Sequence, residues 1–281
     1  AAEPNGCARL PPGERPEEPH VPHPFLDDDR PVAIAHRGGD RVGAENSMAA
    51  FADAAALGYR YLETDVHVSS DGVLVVHHDP SLDRVTDTVG AIAGLTWGEV
   101  SRARISSREP VPRFDEVVTS FPDVRWIVDV KDDLAVDPMI ERLRQDDDLL
   151  ARICIGSFSD SRLDRIRNAL GRRVCTSAGP AEVRRMRIGS LTRRGGSRVR
   201  IRADVLQVPL RFGAIPIVDP RFVAAAHWAA KPVQVWTVNE PAEMHRLLDL
   251  GVDGLVTDRT RLLRDVLTER GAWRPRPHTA E

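Results

Sequence analysis

At 281 residues the chain exceeds a minimal domain and comes close to the roughly 250 residues that one (β/α)8 barrel needs. Hydrophobic residues make up 42%, no run approaches the ~20 apolar residues that cross a bilayer, and a net charge of -3 leaves no basic footprint for nucleic acid. A transmembrane segment and a nucleic-acid binder are therefore not expected. Cys7, Cys154 and Cys175 are odd in number and lack CxxC spacing, so neither a disulfide framework nor a zinc knuckle is indicated.

Residues 1–30 are rich in Pro and acidic side chains and read as a disordered or surface-lying arm. They contain no apolar stretch of the kind a signal peptide carries. Cytoplasmic placement is the expectation, with export left open because the chain opens on Ala1 rather than Met. Residues 31–267 then read as one barrel domain and 268–281 as a tail. Short β-rich runs recur at 32–36, 61–66, 125–130, 152–157, 172–176, 204–208, 233–238 and 253–257. Between most of them lie helical spacings, such as Met48, Phe51, Ala55 and Leu57, or Ile140, Leu143 and Leu150. This alternation predicts an α/β fold, a TIM-type (β/α)8 barrel.

One further run, 73–78, follows the second strand across Ser69-Ser70-Asp71-Gly72. A link that short cannot make a parallel crossover, so an appended antiparallel hairpin is predicted. A two-residue loop in either of its two placements sets residue 78 opposite 65 or 63, which puts His78 on the face of Glu63 and Asp65 and turns His77 away. Residues 79–112 form a long connection of low periodicity. Its Leu95, Trp97 and Ile105 read either as pocket lining or as a local cluster holding the loop down. Residues 184–202 are rich in arginine and read as a solvated face or, less simply, as a contact for anionic lipid or an acidic partner.

His36 and Arg37 stand at the end of the first strand, released by Gly38 and Gly39, where barrel strand ends converge on an active site. Glu63 and Asp65 on the second strand point two carboxylates inward, which is costly unless a cation compensates them. That cation is either a metal, for which hard oxygens suit Mg²⁺ or Ca²⁺, or a basic side chain such as Lys131 or Arg37. Asp129 and Lys131 repeat the spacing on the next barrel strand. Acids, bases and two histidines gathered at one end match the needs of phosphodiester cleavage: neutralised phosphoryl oxygens, a group to activate the nucleophile and a group to protonate the leaving alkoxide. No GxSxG, Walker or dinucleotide motif offers another chemistry.

The segments AHRGG (35–39), AENSMAAF (44–51), GYRYLETDVHVSSDG (58–72), VVHHDPSLDRVTD (75–87), VPRFDEV (111–117), DVK (129–131), VWTVN (235–239) and GVDGLVTD (251–258) together resemble the glycerophosphodiester phosphodiesterase family, within the phospholipase C-like superfamily. The resemblance runs from about 32 to 262. It implies a TIM barrel that uses one divalent cation, Ca²⁺ or Mg²⁺, to hydrolyse small glycerophosphodiesters to glycerol 3-phosphate and an alcohol. It makes His36 and His78 the acid–base pair and Glu63 and Asp65 metal ligands. Asp129 stands where the family usually has Glu as third ligand, one methylene shorter. Arg37 and Lys131 become phosphate contacts and Trp236 a pocket wall. Glu45 and Asn46 match too, but Asn46 suits a helix N-cap equally well. The rival readings are a phospholipase D-like enzyme acting on lysophospholipids or sphingolipids, with an apolar channel built by 79–112 and 209–217, and a non-catalytic phosphate binder.

Overall fold

A computed structural model describes residues 23–28, 31–39, 45–192 and 199–275. In chain order its strands are β1 Val32–Ala35, β2 Tyr61–Val68, β3 Leu74–Val76, β4 Arg104–Ile105, β5 Glu109–Pro110, β6 Arg125–Val130, β7 Ile153–Gly156, β8 Cys175–Thr176, β9 Leu206–Pro209, β10 Arg211–Phe212, β11 Ile215–Pro216, β12 Val233–Trp236 and β13 Gly254–Thr257. Eight of them run parallel in the order β8-β7-β6-β2-β1-β13-β12-β9. The two ends of that curled sheet meet where Ser177 bridges Val205, with the Ala178 N–H donating to the Val205 carbonyl at 2.9 Å. The result is the TIM-type α/β fold.

Strands so short and rich in Val and Ile close well, because alternate residues serve two different cores. Ile34, Tyr61, Ile127, Cys154, Cys175, Val205 and Val256 fill the barrel interior, while Leu62, Val128 and Ile155 pack outward against the helices. Several helices begin on ordinary side-chain caps: Ser47 accepts from the Ala50 N–H, Ser159 from Arg162 and Asp219 from Phe222. Asn46, the expected cap, is not one. The base of the barrel is stoppered by Pro24–Leu26, whose Phe25 is fully buried and stacks edge-on against Tyr61 at 5.3 Å. That part of the N-terminal arm is thus core rather than surface, and residues 1–22 lie outside the described residues. The expected tail from 268 also differs, since the last helix runs Thr260–Glu269 and Trp273 packs on Tyr59 at 5.2 Å.

The connection 79–112 is held down by its own core. Val75, Leu82, Ile92, Val100, Ala103, Ile105 and Val111 are buried together, with Leu95 and Trp97 packed against them. Of the two readings of this segment, the local cluster is the one observed. Of the arginine-rich stretch, 193–198 lies outside the described residues; Arg187 pairs with Asp219 and Arg202 with Asp164, while Arg184 is exposed.

Candidate active site

Register brings the chemistry together. Ile34 on β1 pairs with Tyr61 on one side and Val256 on the other. Two residues on, at the mouth, His36 therefore lies between Glu63 and Asp258. Its Nδ1 donates to Asp258 Oδ1 at 2.6 Å, and its Nε2 stands 3.8 Å from Glu63 Oε2. Asn239 steadies Asp258 in turn, with Nδ2 donating to Oδ2 at 2.8 Å. Burial alone would lower the His36 pKa, but Glu63 and the Asp258 bond outweigh it and the net shift is upward. Asp258 was missed in the sequence reading; an acid two residues beyond the last inward-facing strand position is the signal that marks it.

After His36 the chain turns sharply, with Arg37 at φ 50° and Gly38 at φ 84°. A Cβ on Gly38 would sit 2.7 Å from Ala50 Cβ, so only glycine lets this turn pass under the first helix. Arg37 is thereby set among acids: its backbone N–H donates to Glu63 Oε2 at 3.1 Å and its Nη1 to Glu45 Oε1 at 3.0 Å. Its Nε lies 3.1 Å from Asp65 Oδ2, close enough for an ion pair though not aligned as a hydrogen bond.

His78 arrives by a route other than the predicted one. β2 and β3 pair antiparallel with Val66 opposite Val76, and Ser69 N donates to the Val73 carbonyl, so the loop is the three residues Ser70–Gly72. That register sets 77, not 78, opposite Asp65, and His77 N donates to the Asp65 carbonyl at 3.1 Å. The alternation argument for His78 is overturned. Pairing ends at Val76, however, and His78 lies in a bend just past the end of β3. His67 fixes this bend, with Nε2 3.1 Å from the His78 carbonyl and Nδ1 2.9 Å from Asp132 Oδ2. His78 Nδ1 donates to Asp79 Oδ1 at 2.6 Å. His36 and His78 thus each have Nδ1 tied to a carboxylate, which leaves Nε2 for chemistry.

Asp65 sits opposite Asp129 across β2 and β6, and Glu63 lies one inward position below. Asp65 is 1% exposed and Glu63 9%. Lys131 Nζ lies between the two aspartates, 2.8 Å from Asp65 Oδ1 and 2.7 Å from Asp129 Oδ2. Asn46 donates from Nδ2 to Asp65 Oδ2 at 2.9 Å and accepts from Thr64 at 2.7 Å. It is a buried strut for that carboxylate. Burial drives Asp65 upward, but Lys131 and Arg37 win and hold it below its ordinary range. Glu63 goes the other way, raised by burial first and by the Asp65 charge next, and Asp129 is raised by burial.

These acids bear on a metal in two ways. As they stand, no three His, Cys, Asp or Glu among the described residues are gathered tightly enough to hold an ion, and Lys131 serves as counter-ion to two of them. Yet Asp129 Oδ1 is buried without a partner, and Glu63 is held above its ordinary pKa by burial and a neighbouring negative charge. A hard oxygen donor set with an unfilled acceptor and excess negative charge fits a divalent cation chemically.

The other half of the mouth is apolar. Trp236 ends β12, and Phe158, just past β7, stacks edge-on against it at 5.7 Å. Phe158 is 65% exposed and carries Lys131 Nζ 5.8 Å over its ring. Beyond β9 the β10–β11 hairpin holds Phe212 and Ile215 at 74% and 57% exposure. Phe158 was not singled out from sequence, because a lone Phe after a strand carries no signal of its own.

A parallel barrel whose strand ends gather two histidine–carboxylate pairs, two cations and three acids is the arrangement of a phosphoryl-transfer or phosphodiester-cleaving enzyme. Comparison with known proteins narrows this. Residues 36–262 match the model of the glycerophosphoryl diester phosphodiesterase family, and the chain belongs to that family. A Mycobacterium tuberculosis protein named as a probable glycerophosphodiester phosphodiesterase 2 is 40% identical over 252 residues, covering 86% of this chain and 92% of its own. A Caldanaerobacter subterraneus glycerophosphodiester phosphodiesterase is 27% identical over 85% of this chain and 99% of its own. In fold, the chain is similar to an Oleispira antarctica phosphodiesterase solved with its product sn-glycerol-3-phosphate, at TM-score 0.68 and 21% identity over 85% of this chain and 97% of that one. The chain is accordingly a phosphoric diester hydrolase of the glycerophosphodiester phosphodiesterase type.

Proposed function

We propose that the enzyme hydrolyses glycerophosphodiesters to glycerol 3-phosphate and an alcohol, with His36 and His78 dividing the proton transfers. The observation that carries this reading is the pair of dyads, His36–Asp258 and His78–Asp79, each binding Nδ1 at 2.6 Å. An imidazole so oriented presents Nε2 to solvent or substrate, able to take a proton from the attacking nucleophile or to give one to the leaving alkoxide. Arg37 and Lys131 supply positive charge to the phosphoryl oxygens, and Trp236 with Phe158 walls the organic part of the substrate. Glu63, Asp65 and Asp129 would hold one divalent cation, Ca²⁺ or Mg²⁺, which when bound supplies Lewis-acid stabilisation of charge on the phosphate. The intact dyads argue against a non-catalytic phosphate binder.

A second reading, lysophospholipid cleavage in the manner of a phospholipase D, is favoured by the exposed Phe212 and Ile215 beside the mouth. Relatives named lysophospholipase D, 26% identical in Homo sapiens, match 83% of the chain. Phosphorus NMR of products from glycerophosphocholine, glycerophosphoethanolamine and a lysophospholipid, with and without chelator, tests both. Glycerol 3-phosphate from the first two, lost on chelation, is expected. No turnover of either would sink the first reading, and full turnover under chelation would remove the cation.

A further inference from the structure

The His78–Asp79 dyad is itself held by a third group. Asp79 lies in a bend between His78 and Pro80 with no strand pairing to fix it, and its side chain is partly exposed. Arg84 meets it there: Nε donates to Asp79 Oδ2, while Nη2 and Nη1 donate to Glu45 Oε1 and Oε2 at 2.6 and 3.2 Å. One planar guanidinium thus spans two carboxylates from separate segments. Glu45 is tied in turn to Arg37 Nη1. The turn that delivers Arg84 is anchored, since Leu82 is fully buried, its N–H donates to the Gly90 carbonyl and Thr86 N–H donates back to the Leu82 carbonyl.

We propose that Arg84 is a positioning residue for proton transfer, acting through Asp79 to fix the ring of His78. This rests on the reading of His78 as an acid–base group. Geometry rather than stability is the issue, because partly exposed ion pairs add little to folding and the Arg84 side chain is 47% exposed. Hydrogen bonding from Arg84, ahead of that from His78, also keeps the Asp79 carboxyl far below its ordinary range, so it stays an acceptor for Nδ1. Lysine cannot replace the fork, since a point ammonium does not span both carboxylates in one plane.

The test is a double-mutant cycle. Arg84→Gln should lower kcat about ten- to a hundred-fold, a part of the roughly 10²–10⁴ that general acid–base catalysis contributes, with KM changed far less. Asp79→Asn should do the same, and the double variant should be no slower than the slower single one, because both act on one ring. Arg84→Lys should recover little. Multiplying effects in the double variant, or recovery by Lys, would overturn the proposal. Nitrogen-15 NMR of labelled histidines gives a reading independent of turnover: Arg84→Gln should disturb the His78 Nδ1 signal, assigned by its loss in His78→Gln, and leave His36 unchanged. An unmoved His78 signal would overturn the positioning role, whereas a moved signal with unchanged kcat would instead remove His78 from catalysis.

Discussion

The two histidines differ in what holds them, and that sets what their loss should do. His36→Ala and His78→Ala should each lower turnover by about two to four orders of magnitude, the usual scale for a general acid or base, with the fold intact. Near-parental kcat in either folded variant would remove the two-histidine mechanism. His36 also makes a testable pH signature with Asp258. Burial pushes the Asp258 carboxyl up, but the His36 hydrogen bond and charge hold it below its ordinary value, while His36 is held above its own. A lowered carboxyl adds stability above its unfolded pKa of about 3.9, lost as pH falls through the folded value. A raised imidazole adds stability that is full below its unfolded pKa of about 6.5 and lost as pH climbs through the folded value. The stability gap between the parent and Asp258→Asn should therefore be widest between about pH 4 and about pH 6.5 and close on either side. Urea midpoints across that range measure it, and a gap that does not vary with pH would mean the pair is not charged. The side chains legible in sequence were those whose inward position follows from strand parity, namely Glu63, Asp65, Asp129 and Lys131. Asp258 escaped because its partner lies on the strand at the other end of the chain, and Asn46 because its left-handed backbone, φ 58°, turns a plausible cap inward.

At the scale of elements, the eight barrel strands were readable because short Val- and Ile-rich runs between amphipathic spacings have few alternatives in a chain this long. The hairpin was readable as a hairpin but not in register. Ser-Ser-Asp-Gly is compatible with two- or three-residue loops, and a single added residue exchanges the faces of His77 and His78. The bend that carries His78 is instead held by His67, a tertiary contact no local pattern reveals. The β10–β11 hairpin makes the element-scale prediction. Burying a Phe or Ile side chain is worth about 1.5–3 kcal/mol, and each 1.4 kcal/mol is tenfold. If the acyl chain of a lysophospholipid lies on this hairpin, replacing Phe212 and Ile215 together by Ser should cut kcat/KM for a lysophospholipid by about tenfold or more while leaving glycerophosphocholine nearly unchanged. Equal slowing of both substrates would confine the hairpin to a structural role.

Over the whole molecule, function and stability are separated along the barrel axis. The mouth concentrates acids that repel one another, a buried oxygen without a partner and a half-rim of exposed aromatic surface, all of which work against folding. The opposite end is apolar: Phe25, Leu26, Val32 and Ile34 close it, and the Phe25 carbonyl accepts from Tyr61 Oη and Arg125 Nη1, both at 3.0 Å. Arg125 further pairs with Asp27 and Arg60 with Asp28, clasping the stopper from two strand ends. Tyr61, Glu63 and Asp65 stand on one face of a single strand, so the base of β2 is apolar packing and its top is chemistry. Phe25→Ala should accordingly cost about 3–5 kcal/mol, the range for a buried Phe truncated to Ala. Because the cavity opens at the far end from His36 and His78, kcat and KM of the protein that remains folded should stay near parental. Guanidinium midpoints and turnover of the same preparation measure the two together. A large loss of kcat at full folded population would mean that the stopper sets the height of β2, and that the two ends of the barrel are mechanically coupled rather than separate.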